Sequence, residues 1–252
     1  MIGPDAELWE RQGAAVCGCL VDCTVEDFPA YFNYPGIDIL EWRIDAFYRR
    51  FPEDFPGSFF KALSCTPRHP VIATNRPSRE MGAFEGPEDL RLQILSEAAR
   101  AGADWIDLEH DAAREGIAGF RMHDTKILVS WHNPSETPSR QVLRSRLEKM
   151  CKTEADALKI VTKAQTDEDN LRVLELIPLA RREFDIDLIA FCMGPIGKWS
   201  RLVSVLLGSP WTYAQIPGQE VTAPGQLTVA QVRDVLRIMD LRPASFDNGI
   251  PV

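Results

Sequence analysis

The sequence predicts a single (β/α)8 barrel, and three observations carry that prediction. The chain has 252 residues, a length that suits one α/β barrel or two small domains. Short apolar runs alternate eight times with longer helical stretches. Several of these runs are apolar almost throughout, as parallel strands covered on both faces are. A doubly wound open sheet is the nearest rival, but no G-x-G-x-x-G or G-x-x-x-x-G-K-S/T follows the first run. No linker or low-complexity stretch divides residues 1–252, and the tail 241–252 is expected to be loosely held.

The elements follow in order. Ala14–Asp22 reads as the first strand, and Thr24-Val25-Glu26-Asp27 is a helix start. Ile37–Asp45 is the second, followed by a less regular Phe- and Pro-rich segment from Phe47 to Leu63. Val71–Arg76 is the third, and Glu88–Arg100 is a well-patterned helix ending before Gly102. Asp104–His110 is the fourth, with a short helix around Ala112–Phe120. Lys126–His132 is the fifth, and Ser139–Lys152 an amphipathic helix with Val142, Leu143, Leu147 and Met150 on one side. Ala157–Ala164 is the sixth, and its helix opens on Thr166-Asp167-Glu168-Asp169 and runs to Phe184. Asp187–Met193 and Trp211–Ile216 are the seventh and eighth, followed by helices over Lys198–Leu207 and Thr228–Met239.

Bulk properties exclude several classes. Hydrophobic content of 45% and charged content of 26% are those of an ordinary soluble globular protein. A net charge of −9 argues against nucleic-acid and anionic-membrane partners, which want a basic face. A small anionic substrate needs only a few local arginines. Met1–Gln12 lacks the apolar core of a signal peptide, and the uncharged run Leu202–Gln219 is broken by Gly208, Pro210, Pro217 and Gly218. A cytoplasmic location with six reduced cysteines is therefore expected. Cys17, Cys19 and Cys23 have no matching Cys/His group at ligand spacing, so they read as packed thiols and no metal is expected.

Lys159 is the unusual residue of the chain, an ammonium set between Leu158 and Ile160. On a strand, the period of two puts Lys159, Val161 and Lys163 on one face. A buried amine facing a pocket is what Schiff-base chemistry needs, because only the neutral amine attacks a carbonyl. A half-exposed strand whose lysines reach water along their stems is the plainer alternative. Barrel enzymes carry their catalytic groups at strand C-terminal ends and in the loops just after them. The unusual polar residues fall there: Glu41 and Arg43, Arg76 with Glu80, His132, Lys159, Arg201 and Gln226. Singly each has a bland explanation, such as a Glu41–Arg43 ion pair or a structural histidine; their common placement is harder to explain away.

These stretches resemble type I 3-dehydroquinate dehydratase, the Schiff-base dehydratase of the shikimate pathway. The resemblance rests on Glu41-Trp42-Arg43-Ile44-Asp45, Thr74-Asn75-Arg76 with Glu80, Asp107-Leu108-Glu109, Ser130-Trp131-His132, Leu158-Lys159-Ile160, Met193-Gly194 with Ser200-Arg201, and Ala223-Pro224-Gly225-Gln226. It spans almost the whole chain in order. It implies Lys159 as the Schiff-base lysine, His132 as general acid/base and Glu80 as the carboxylate assisting that histidine. Glu41, Arg43, Arg76, Arg201, Thr222 and Gln226 then form the substrate-binding set, with Arg201 on the substrate carboxylate and Thr222 standing where the family often has Ser. No cofactor is implied beyond the imine on Lys159; the partner is 3-dehydroquinate, and a homodimer is expected. Two departures stand out: Met81 where the family has the first of two glycines, and Lys163 where an apolar residue is expected. The rival readings are a Schiff-base aldolase on the same barrel and a non-catalytic metabolite-binding homologue.

Overall fold

A computed structural model describes residues 14–50, 57–65, 69–114, 116–121, 124–241, 246–247 and 250–251. Its main sheet starts with β1 (Ala15–Leu20), which is followed by the short helix α1 (Phe28–Tyr31). β2 (Ile39–Arg43) leads directly into α2 (Ile44–Arg50), and α3 (Gly57–Cys65) precedes β3 (Val71–Thr74). Then come α4 (Glu88–Arg100), β4 (Trp105–Glu109), α5 (His110–Ala113), β5 (Lys126–Asn133), α6 (Arg140–Met150) and β6 (Ala157–Lys163). α7 (Asp167–Leu174) and α8 (Leu176–Phe184) lead to β7 (Asp187–Met193), α9 (Ser200–Leu206) and β8 (Trp211–Gln215). A two-residue β9 (Leu227–Thr228) pairs with β8 and opens α10 (Val229–Ile238).

All the pairings in this sheet are parallel, in the order β7-β6-β5-β4-β3-β2-β1-β8-β9. The neighbours are those of a (β/α)8 barrel. Among the described residues no ladder joins β7 to β8, and side chains span that seam instead. The Ser209 hydroxyl on the β8 side donates to Leu188 O at 2.8 Å, and the rings of Phe191 and Tyr213 lie 6.3 Å apart across it.

Strand alternation sorts the side chains into two cores. The barrel interior is plugged by Cys17, Ile39, Ile72, Leu128 and Ile189, with Trp105 and Trp211 edge-on at 5.3 Å. Between sheet and helices lies a second, larger core. Its aromatic part sets Phe28, Phe47 and Phe59 around Trp42, with Phe47 and Phe59 5.2 Å apart.

Two expectations change. The segment Phe47–Leu63 is not irregular: α2 already covers Phe47, and α3 begins at Gly57, because both helices bury phenylalanines on the outer face of β2; residues 51–56 lie outside the described residues. The helix expected from Thr166 to Phe184 is divided at Glu175. Pro178 has no amide to give the Leu174 carbonyl, so the ladder breaks there. In the tail 241–252, Leu241 is buried and Phe246–Asp247 (β10) pairs antiparallel with Ile250–Pro251 (β11), while 242–245, 248–249 and 252 lie outside the described residues.

Candidate active site

The pocket opens at the C-terminal ends of the strands, with about 470 Å³ of space between its walls and its open mouth. Its wall brings together all nine residues singled out in the sequence. Glu41 and Arg43 come from β2, Arg76 and Glu80 from the loop after β3, and His132 and Lys159 from β5 and β6. Arg201 enters from α9, and Thr222 and Gln226 from the loop after β8.

Lys159 is 6% exposed, and its Nζ lies 4.0 Å above the Tyr213 ring. Carboxylates stand closest to the amine among the charged groups that pair with it: Asp107 Oδ2 at 3.3 Å and Glu41 Oε1 at 3.6 Å. Glu41 also accepts from the Thr74 hydroxyl at 3.1 Å. Lys163, on the same face, is exposed at the end of β6 and lies outside the pocket wall.

His132 stands one strand away, its Nδ1 2.8 Å from Glu80 Oε2. Burial holds this imidazole well below its usual pKa, and the nearby charges of Arg76, Lys159 and Arg43 add to that, against Asp107. The ring is therefore neutral at neutral pH. Burial pushes the Glu80 carboxyl up, and Asp107 adds to the rise while Arg76 opposes it.

Arg76 lines the pocket, yet its guanidinium is already taken. Nη2 donates to Asp107 Oδ2 at 2.6 Å, and Nη1 to Glu109 Oε1 at 2.6 Å and Ser130 Oγ at 2.7 Å. Burial pushes the Asp107 carboxyl up, but Arg76 and Lys159 outweigh it and hold the group below the usual carboxylate range. Arg43 is likewise gripped, donating from Nε and Nη2 to the two oxygens of buried Asp45 at 2.9 and 2.7 Å.

Arg201 is different. It is 2% exposed, its guanidinium lies 4.4 Å from the Phe191 ring centroid, and Nε and Nη2 are buried with no hydrogen-bond partner among the described residues. Burial lowers its pKa to about 10, so it remains a cation at neutral pH. A buried cation of this kind is costly unless something anionic meets it. Beside it, the Thr222 amide and hydroxyl both donate to Gln226 Oε1 at 3.0 Å, and Gln226 Nε2 lies 3.2 Å from Cys19 Sγ. The turn that presents Gln226 requires glycine at 225: φ is +83°, and a Cβ there would lie 2.5 Å from Gly194 O.

Met81 closes the 3-10 turn Ser78–Glu80 in the left-handed region, with φ 63° and ψ 24°, and its side chain lines the pocket rim. Gly82 is the obligatory member of the pair, because a Cβ on it would collide with the Arg76 carbonyl. Sequence reasoning assigned no role to Asp107, Glu109, Ser130 and Tyr213. A signal for the first two was available: two acids at i and i+2 on an otherwise apolar buried strand must share an inward face. Cys17 and Cys19 are packed inside the barrel, and no His/Cys/Asp/Glu group able to hold a metal occurs among the described residues.

Comparison with known proteins points one way. A family model described as Type I 3-dehydroquinase matches residues 17–243. A protein of Syntrophobacter fumaroxidans named 3-dehydroquinate dehydratase is 46% identical over 224 residues, covering 89% of this chain and 96% of that one. One of the same name from Desulfotalea psychrophila is 36% identical, covering 79% and 86%. Among solved structures, the 3-dehydroquinate dehydratase of Geobacillus kaustophilus superposes with a TM-score of 0.78 at 26% identity, covering 90% of this chain and 91% of that chain. The type I enzyme of Clostridium difficile has a TM-score of 0.79 at 24% identity, covering 91% and 93%.

Proposed function

The chain belongs to the type I 3-dehydroquinase family and dehydrates 3-dehydroquinate to 3-dehydroshikimate; we propose that it does so through an imine on Lys159, with His132 moving the protons. The observation that carries this reading is the pairing, in one pocket, of a buried amine with a buried guanidinium that meets no anion among the described residues. A substrate bearing both a ketone and a carboxylate answers both groups at once.

In this reading Arg201 takes the substrate carboxylate through its unpaired nitrogens, a planar fork that lysine mimics poorly. The free amine of Lys159 attacks the ketone, and the carbinolamine loses water to give a protonated imine. That cation draws electrons from the adjacent C–H bond. With Nδ1–H donating to Glu80, the Nε2 of neutral His132 is the free base that accepts this proton. The electron pair expels the β-hydroxyl, and His132 returns the proton to it so that it leaves as water. A further water hydrolyses the imine and frees Lys159. Arg43, braced by Asp45, and Gln226, braced by Thr222, serve the substrate hydroxyls.

The chain acts as one catalytic domain in the cytoplasm, needs no cofactor, metal, nucleic acid or membrane, and pairs as a homodimer. The net charge of −9 supports the absence of polyanionic partners, and no helix among the described residues is long and apolar enough to cross a membrane. Light scattering at twice the 28.3 kDa chain mass is the expected result for the dimer. The chemistry is tested by borohydride with substrate or product, which should leave a reduced adduct on Lys159 by peptide mass mapping. An adduct on another lysine, or turnover with none, overturns the assignment.

A further inference from the structure

We infer that Glu109 is a positioning residue for the dehydration, acting through Arg76 on both Lys159 and His132. The inference rests on the roles proposed above for those two residues. Arg76 stands at the centre of the argument. Its guanidinium meets Asp107 Oδ2 at 2.6 Å, and that same oxygen lies 3.3 Å from Lys159 Nζ. On its other side Nη1 is 3.9 Å from Glu80 Oε2, the oxygen that contacts His132. The orientation of Arg76 thus decides how Asp107 is presented to the amine and where a positive charge stands beside the His132–Glu80 pair.

Glu109 sets that orientation from outside the pocket wall. It is wholly buried, with Oε1 2.6 Å from Arg76 Nη1 and Oε2 2.6 Å from Arg91 Nη1. Arg91 is itself buried and is fixed by Glu88, at 2.7 and 3.0 Å, and by the Asn75 carbonyl at 2.8 Å. The chain of contacts therefore runs from Glu88 on α4 through Arg91, Glu109 and Arg76 to Asp107 and Lys159. A buried Arg–Glu–Arg array is a poor way to gain stability, since apolar side chains of similar volume serve as well or better. Its connection to the amine and the imidazole gives it another use. Burial pushes the Glu109 carboxyl up to about 7 against the pull of Arg76 and Arg91, with Asp107 and Glu80 adding to the rise. The groups facing His132 are Glu80, Arg76, Lys159, Asp107 and Arg43.

The test is steady-state kinetics across pH on the full chain carrying Glu109→Gln or Glu109→Asp, with borohydride trapping alongside. Glu109→Gln should lower kcat about tenfold or more with KM changed less than about threefold, as a misplaced catalytic group does. The acid limb of kcat/KM should shift as well, because Arg76, no longer held by a Glu109 carboxyl, changes its approach to the His132–Glu80 pair. If Glu109→Gln fails to fold, Glu109→Asp keeps the carboxyl but withdraws it from Arg76, and should move kcat and the acid limb in the same directions by less. A wild-type kcat and pH profile in a folded variant, whatever its melting temperature, overturns the inference. Absence of a Lys159 adduct in the wild type overturns the underlying reading instead, so the two failures are distinct.

Discussion

His132 Nδ1 and Glu80 Oε2 stand 2.8 Å apart, joining β5 to the 3-10 turn that follows β3. The contact fixes the tautomer of a neutral ring, with the proton on Nδ1 and the lone pair of Nε2 free. Replacing His132 by Ala should lower kcat by about 10²–10⁴ while leaving imine formation on Lys159 intact. Glu80→Gln keeps an acceptor for Nδ1 and should cost about tenfold, since only its charge is lost. Following the conjugated enone product by ultraviolet absorbance, with mass spectrometry of the trapped adduct, separates the two effects.

The acid limb should lie unusually low. His132 is held below its ordinary value by burial, helped by Arg76 and Lys159, so the imidazole stays neutral as pH falls through about 6.5. kcat/KM is expected to be flat through that point and to fall only further down. The same depression affects stability: the unfolded chain takes up a proton on this residue near pH 6.5 that the native chain refuses, so this contribution is lost as pH falls. Glu109 has the opposite sign, because its raised pKa favours the fold below its unfolded value of about 4.3 and that gain is lost as pH rises through about 7. The stability difference between wild type and His132→Asn, from urea melts, should shrink as pH is lowered from 7 to 5. A constant difference contradicts the assignment.

Arg201 should trade stability for binding. Removing a buried cation with two unpaired nitrogens relieves a desolvation cost, and apolar replacement of buried charge can stabilise by about 1–4 kcal/mol. Arg201→Met is therefore expected to raise the melting temperature while raising KM about 10- to 100-fold, the worth of a charge-assisted hydrogen bond of about 1.5–3 kcal/mol. Arg201→Lys should recover little of the binding, because it lacks the planar fork.

Met81 and Gly82 should respond in opposite directions. Met81 carries a left-handed backbone at φ 63°, which costs an L-residue roughly 1–2 kcal/mol. Met81→Gly should stabilise by up to about 1 kcal/mol after its extra unfolded-state entropy is counted. Gly82→Ala forces the Arg76 carbonyl aside, and should lower both melting temperature and kcat. Thermal melts read the first effect, and melts with turnover read the second.

Lys163 offers a contrast to Lys159 on the same strand face. It is exposed beyond the pocket wall, so Lys163→Ala should leave kcat within about twofold, as surface substitutions away from special features do. A borohydride adduct that disappears in this variant contradicts that placement.

The strand alternation, read from residues alone, placed Glu41, Arg43, His132 and Lys159 at one end of one barrel, and the structure brings them into one pocket. Parity is legible because it depends only on backbone geometry within a few residues. The helix division at Glu175 was missed although Pro178 was visible, because the capping pattern at Thr166 and the downstream apolar periodicity hid a single lost hydrogen bond. The helices inside Phe47–Leu63 were missed because their phenylalanines answer to Trp42 and Phe28, not to their own helical neighbours.

Sequence alone determined the eight-fold strand and helix alternation, the inward parity of the polar residues and the stretches shared with the dehydratase family. Tertiary structure decided which of the arginines is free. Arg43, Arg76, Arg91 and Arg201 are chemically identical in the sequence. The first three are met by Asp45, by Asp107 and Glu109, and by Glu88 and Glu109, whereas Arg201 at the β7–β8 seam is left with two nitrogens that meet no partner among the described residues. Pairing is set by which strand ends converge across many residues of chain, and that convergence exists only once the barrel has formed.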